Sequence, residues 1–184
     1  MNMVSIVVIG LVIIVAGAVV GLYNRLVTLR NRCDNSWAQI DVQLRRRHDL
    51  IPNLVETVKG YAAHESGTLE SVVKARDAAM SAEGVGDRST AENALSSTLR
   101  SLFAVAEAYP DLKANQSFLD LQSQLTDTEG KIAYARQFFN DCVMSYNMAV
   151  QRFPANVLAG AFGFRDKSYF EVEASVKEPV KVEL

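Results

Sequence analysis

The chain predicts an all-α protein. We expect an N-terminal transmembrane helix, then an antiparallel up-down bundle of long helices (four, or three to four with a kink), then an extended β-like C-terminal tail. Three observations carry this. Residues 1–24 contain no Lys, Arg, Asp or Glu. Beyond them, apolar residues recur at three- and four-residue steps, the period of a helix buried along one face. Near Phe170 the step drops to two, the period of a strand. The expected organisation is a membrane anchor over 1–23, a helical-bundle domain over 24–153, and an apolar Gly/Ala/Phe segment with an extended tail over 154–184.

Val4 to Leu22 is a run of nineteen residues whose one polar side chain is Ser5. At 1.5 Å per residue it spans about 28 Å, close to the ~30 Å hydrocarbon core of a bilayer. Tyr23 follows, where an interfacial aromatic is favoured. A cleaved signal peptide would need a basic start and a shorter apolar stretch, and Met1-Asn2-Met3 is not basic. Arg25, Arg30 and Arg32 follow the span and no Lys or Arg precedes it. The positive-inside rule then places the N-terminus outside and the C-terminal domain in the cytoplasm, as a single-pass protein of the cell membrane. The same three arginines are candidates for contact with anionic headgroups. Gly10, Gly17 and Gly21 are candidates for self-association within the bilayer, since Gly17 and Gly21 form a G-x-x-x-G that lets helix backbones approach.

The next helix is expected to carry Trp37, Ile40, Leu44, Ile51, Leu54, Val58 and Tyr61 on one face, with one seven-residue step from Leu44 to Ile51. No Gly or Pro lies between Gly21 and Pro52, so it can continue the membrane span. Pro52 should kink or restart it near Asp49 or Leu50. A second helix is expected over 66–82, followed by a turn through Glu83-Gly84-Val85-Gly86-Asp87. A third should start near Ser89 or Thr90 and present Leu95, Leu99, Leu102, Val105, Ala106 and Tyr109. Pro110-Asp111 interrupts it, and Asn115-Gln116-Ser117 can cap the next helix. That last helix has the strongest period. Phe118, Leu121, Leu125, Thr128, Ile132, Ala135, Phe139, Cys142, Tyr146, Ala149 and Phe153 form an a/d seam over five heptads. An up-down order returns its end to the membrane, so Phe162 and Phe164 are candidates for interfacial insertion or for packing at the bundle base. The tail, residues 169–184, could pair as a β-strand between subunits.

Composition narrows the function. A net charge of −2 and a pI of 5.7 disfavour an ordinary nucleic-acid binder. Two histidines offer little for a metal site, and His64-Glu65 lacks the second His four residues on. His48 is expected as a solvated or hydrogen-bonded side chain. No nucleophile elbow, P-loop or dinucleotide fingerprint occurs, so we expect no catalytic residues, no cofactor and no small-molecule substrate. Cys33 and Cys142 should face the core as thiols in a reducing compartment. Arg45-Arg46-Arg47 is the one basic run. Helix geometry spreads it over different faces, which suggests a solvated face with ion pairs.

Several long words then stand out. They are Tyr23-Asn24-x-Leu26-Val27, Trp37-Ala38-x-Ile40-Asp41-Val42-Gln43-Leu44-x-Arg46-Arg47-x-Asp49-Leu50-Ile51-Pro52-Asn53-Leu54-Val55 and Glu107-Ala108-Tyr109-Pro110-Asp111-Leu112-Lys113-Ala114-Asn115. Thr128-Glu129-x-Lys131-Ile132-Ala133-x-Ala135-Arg136, Tyr146-Asn147 and Phe153-Pro154 join them. From about residue 20 onward the chain resembles the LemA family. The resemblance implies a short N-terminal segment, one membrane span and a helical bundle. It implies no enzymatic activity and brings no catalytic residue. Its polar members Asp41, Gln43, Asp49 and Asn53 suit either buried hydrogen bonds or a contact surface. We therefore expect a membrane-anchored, non-enzymatic scaffold, a homo-oligomer on the lipid bilayer. An adaptor for another membrane protein is the alternative.

Overall fold

The computed structural model describes residues 2–171. Among them the order is α1 (Met3–Lys59), α2 (Ser66–Ser81), α3 (Val85–Ala106), α4 (Pro110–Lys113), α5 (Gln116–Gln151) and α6 (Ala155–Phe162), with no strand. The regular structure of the described residues is all helical, and the first helix is long and apolar at its N-terminal end. The extended tail expected over 169–184 lies outside the described residues from 172 onward. Residues 169–171 have no regular secondary structure.

α1 continues from the apolar run into the charged sequence without a break. It also continues through Pro52, so of the two outcomes expected there, a kink or a restart, the restart does not occur. The reason lies one turn back. Pro52 has no N–H to donate to the carbonyl of residue 48. Arg76 of α2 takes that place, its Nε donating to the His48 carbonyl at 2.9 Å. A side chain from a neighbouring helix thus satisfies the acceptor that proline orphans.

Two other boundaries differ from expectation. α3 starts at Val85, one turn before Ser89. Gly84 makes this possible with φ +77°, a left-handed conformation open to glycine. Ser89 is then buried, and its hydroxyl donates to the Glu171 carbonyl at 2.7 Å instead of capping. Residues 155–162, read from sequence only as an uncharged apolar segment, form α6, which ends at Gly163 with φ +72°. The cap expected at Asn115 is present, with the Phe118 N–H donating to its Oδ1 at 3.0 Å. Phe153, expected at the end of the seam, is exposed, because α5 stops at Gln151.

The chain divides into two compact units. The first joins residues up to Ala38 with Gln137–Ser168. Its core is Leu26 and Cys33 of α1, Phe139, Cys142, Val143 and Tyr146 of α5, and Ala155 and Ala159 of α6. Trp37 and Phe139 pack with ring centroids 5.4 Å apart. The Asn147 amide holds the backbone of Lys167 in both directions, each bond 2.9 Å. The second unit joins Gln39–Arg136 with the described residues from 169 onward. Ile51, Leu54 and Val58 of α1 pack there with Leu69 and Val72 of α2, Leu95, Leu99 and Leu102 of α3, Leu112 of α4, and Phe118 and Leu125 of α5.

The Arg76 bond is open to measurement. Arg76→Met leaves the His48 carbonyl without a donor and is expected to lower the unfolding free energy by ~1–3 kcal/mol. In a Pro52→Ala background the restored N–H at position 52 can serve the same carbonyl, so the loss should shrink. Equal losses in both backgrounds, measured by denaturant unfolding, would show that Arg76 acts elsewhere.

Candidate functional site

The apolar face of α1 skips from Leu44 to Ile51, and the skipped turn holds Arg47 and His48. Both are buried. This corrects the expectation of a solvated Arg45-Arg46-Arg47 face. Arg45 and Arg46 are exposed, but Arg47 points into the second unit. Its Nη2 donates to Oε2 of Glu92, a fully buried residue of α3. Its Nη1 donates to Ser96 Oγ at 2.9 Å and to Glu129 Oε2 of α5 at 2.7 Å. His48 Nε2 lies 2.9 Å from the other Glu92 oxygen, Oε1. One guanidinium therefore ties α1 to both α3 and α5.

Burial alone would push the Glu92 carboxyl up. The His48 hydrogen bond and the Arg47 charge outweigh it, and the pKa falls below the ordinary glutamate value. Arg136 of α5 sits beside this cluster. Burial first, then the Arg47 charge, lower its pKa, and its guanidinium stacks 4.4 Å over the Phe170 ring. A cavity of about 240 Å³ opens against Arg47, Ser96, Phe103 and Glu129. The cluster is organised as a structural tie. Its carboxylates are held by the Arg47 guanidinium and the His48 ring, and the described residues contain no group of three or more His, Cys, Asp or Glu able to hold a metal.

The other expected site residues lie in the first unit. Tyr23 packs edge-on against Phe162 at 5.1 Å and Phe164 at 5.7 Å. The two phenylalanines differ: Phe164 is buried, while Phe162 is 57% exposed. All three arginines, Arg25, Arg30 and Arg32, are exposed; Arg30 stacks over Phe164 at 5.2 Å and Arg32 over Phe138 at 5.8 Å. Gly10, Gly17 and Gly21 have open space where a Cβ would stand. Cys33 and Cys142 are free and buried, and burial, then Cys142, push the Cys33 thiol up, which keeps it protonated and inert. Among the polar words, Asp41 pairs with Arg45 at 2.6 Å and Arg88 at 3.0 Å, while Asp49 and Asn53 are exposed.

Sequence reasoning missed the Arg47–Glu92–Glu129 cluster and also Arg152, which lies beside Arg25 and Arg32 in one cleft. The signal for the cluster was the seven-residue step in the α1 face. No such signal existed for Arg152.

The LemA family model matches residues 36–184. Among known proteins, the chain is similar to magnetosome protein MamQ of Magnetospirillum gryphiswaldense, 26% identical over an alignment of 184 residues covering 86% of this chain and 68% of that protein. Magnetosome protein MamQ 2 of Paramagnetospirillum magneticum is 24% identical with the same coverage. Protein LemA of Metamycoplasma hominis is 26% identical over 166 residues, covering 89% of this chain and 74% of that protein.

Removing one member of the buried pair should be severe. Arg47→Met is expected to lower the unfolding free energy by ~3–5 kcal/mol, because Glu92 is left charged and buried, and Arg47→Met with Glu92→Met should recover much of this. Glu92 has a depressed native pKa. Its contribution is present in full above the ordinary glutamate value and is lost as pH falls through the lower native one. Glu92→Gln should therefore flatten the fall in stability over that acid window. An unchanged acid profile in urea titrations would contradict this role.

Proposed function

The chain belongs to the LemA family, and from that premise we propose that it is a membrane-anchored, non-enzymatic helical scaffold. It self-assembles at the membrane and organises or shapes it. One observation carries the proposal: the apolar stretch of α1 is long enough to cross a bilayer, and no residue of it is buried inside the rest of the protein. In water so long an exposed apolar stretch is untenable, and lipid is the solvent that suits it. The span is single-pass. Arg25, Arg30 and Arg32 orient it with the N-terminus outside and the remaining chain cytoplasmic.

Self-assembly rests on Gly17 and Gly21, whose positions leave room for a second helix. The adaptor alternative has its own support. A groove of about 610 Å³ in the second unit is lined by Gln43, Gly130 and the exposed side chains of Val42 and Tyr134, a surface suited to a partner.

Light scattering on full-length protein in detergent tests the scaffold. The expected mass is a multiple of the 20.2 kDa chain, and Gly17→Ile with Gly21→Ile should lower it. Nothing stands within 4 Å of a Cβ at either position, so the added side chains start from open space. A wild-type monomer would sink self-assembly. Crosslinking that captures one heterologous protein and never a second copy would favour the adaptor.

A further inference from the structure

Two clefts of the first unit meet beside α1 and share Leu22, Phe153 and Pro154. One, of about 400 Å³, is lined by Arg25, Arg32 and Arg152, with no Asp or Glu in its wall. The other, of about 350 Å³, has a wholly apolar wall that includes Val15, Val19, Val157 and Leu158. We propose that the pair is a binding site for one anionic phospholipid, with the phosphate between Arg25, Arg32 and Arg152 and an acyl chain in the apolar crevice.

The register along α1 fits this occupant. Leu22 ends the apolar run, Arg25 lies three residues on, and Val15 lies seven residues back, about 10 Å along the axis. Arg25 therefore sits at headgroup level and the crevice at acyl level, if α1 spans the bilayer as proposed above, with Arg32 farther along the axis on the water side. Charge fits as well. Among the described residues no carboxylate pairs with the Arg25 or Arg152 side chain. Guanidinium groups bind phosphate oxygens in a bidentate fork, so arginines lining one cleft without a carboxylate in its wall favour an anion. A free phosphate would leave the crevice empty, and an apolar helix would leave the arginines unmatched. A phospholipid fills both. The site also revises the headgroup candidates. Arg152 joins Arg25 and Arg32, while Arg30 stacks on Phe164 and does not line the cleft.

Native mass spectrometry of the full-length protein in detergent tests the site, with phosphatidylglycerol and phosphatidylcholine of identical acyl chains. We expect one retained phosphatidylglycerol per chain and about a tenfold preference over phosphatidylcholine. Arg25→Gln with Arg152→Gln should abolish the preference, and Arg30→Gln should leave it intact. Val19→Trp, which fills the crevice, should reduce retention of both lipids. Equal retention of the two lipids, a preference that survives the double variant, or Val19→Trp binding as wild type would overturn the proposal. So would displacement of the lipid by glycerol phosphate at matching concentration, which would mark a site for the free anion. Recovery of the expressed protein outside the membrane fraction would instead refute the anchored reading itself.

Discussion

The Arg47–Glu92 pair is the constraint on which the second unit depends. Two opposite charges lie wholly out of solvent, each held by further partners. In a low-dielectric interior, neither tolerates the loss of the other. A one-turn slip of α1 would carry Arg47 away from Glu92 on α3 and Glu129 on α5 and leave both ends uncompensated. Apolar faces tolerate such slips more readily, because one leucine substitutes for another in a seam. The buried pair does not. It pins the register of α1 against two helices at the one turn where the apolar pattern of α1 lapses.

The same logic of satisfied polar groups recurs at smaller scale. Pro52 orphans the His48 carbonyl and Arg76 answers it. His48 is thereby engaged twice, through its carbonyl by α2 and through its ring by α3. In the first unit, the Asn147 amide stands in for a strand edge by bonding both ways to the Lys167 backbone. That amide lets the chain after α6 lie against α5 without secondary structure of its own. Thr128, the one clearly polar member of the α5 seam, returns its hydroxyl proton to the Gln124 carbonyl at 2.7 Å and is buried without penalty.

The first unit combines surfaces suited to two solvents. Aromatic and guanidinium groups gather where the apolar run of α1 ends. Tyr23 packs on Phe162 and Phe164, and Arg30 covers the second of these rings. Such amphipathic side chains favour the boundary between lipid and water. α6 brings Val157 and Leu158 against Val15 and Leu22 of α1. The segment after Pro154 is thus an ordered helix beside the apolar stretch of α1, and its composition, apolar but for Asn156, follows from that position.

The helical class, the long apolar first helix and the Asn115 cap were legible in the sequence. Each is a local property, set by hydropathy period or by a side chain bonding three residues away. So was the burial of Ile40, Leu44, Ile132, Phe139 and Tyr146, since one helix face decides it. Arg47 was misread because an arginine in a basic run is ordinarily solvated. What buries it is Glu92, 45 residues away, and Glu129, 82 away. Continuity through Pro52 needed Arg76 from another helix, and the early start of α3 needed Gly84 in a left-handed turn that composition alone does not specify. The meeting of Arg25 with Arg152 depends on α5 ending beside α1. Period and propensity act within a few residues, and so the sequence by itself determined the elements and their apolar faces. Charge pairing and cleft formation act across distant residues, and only the tertiary structure decided which of them meet.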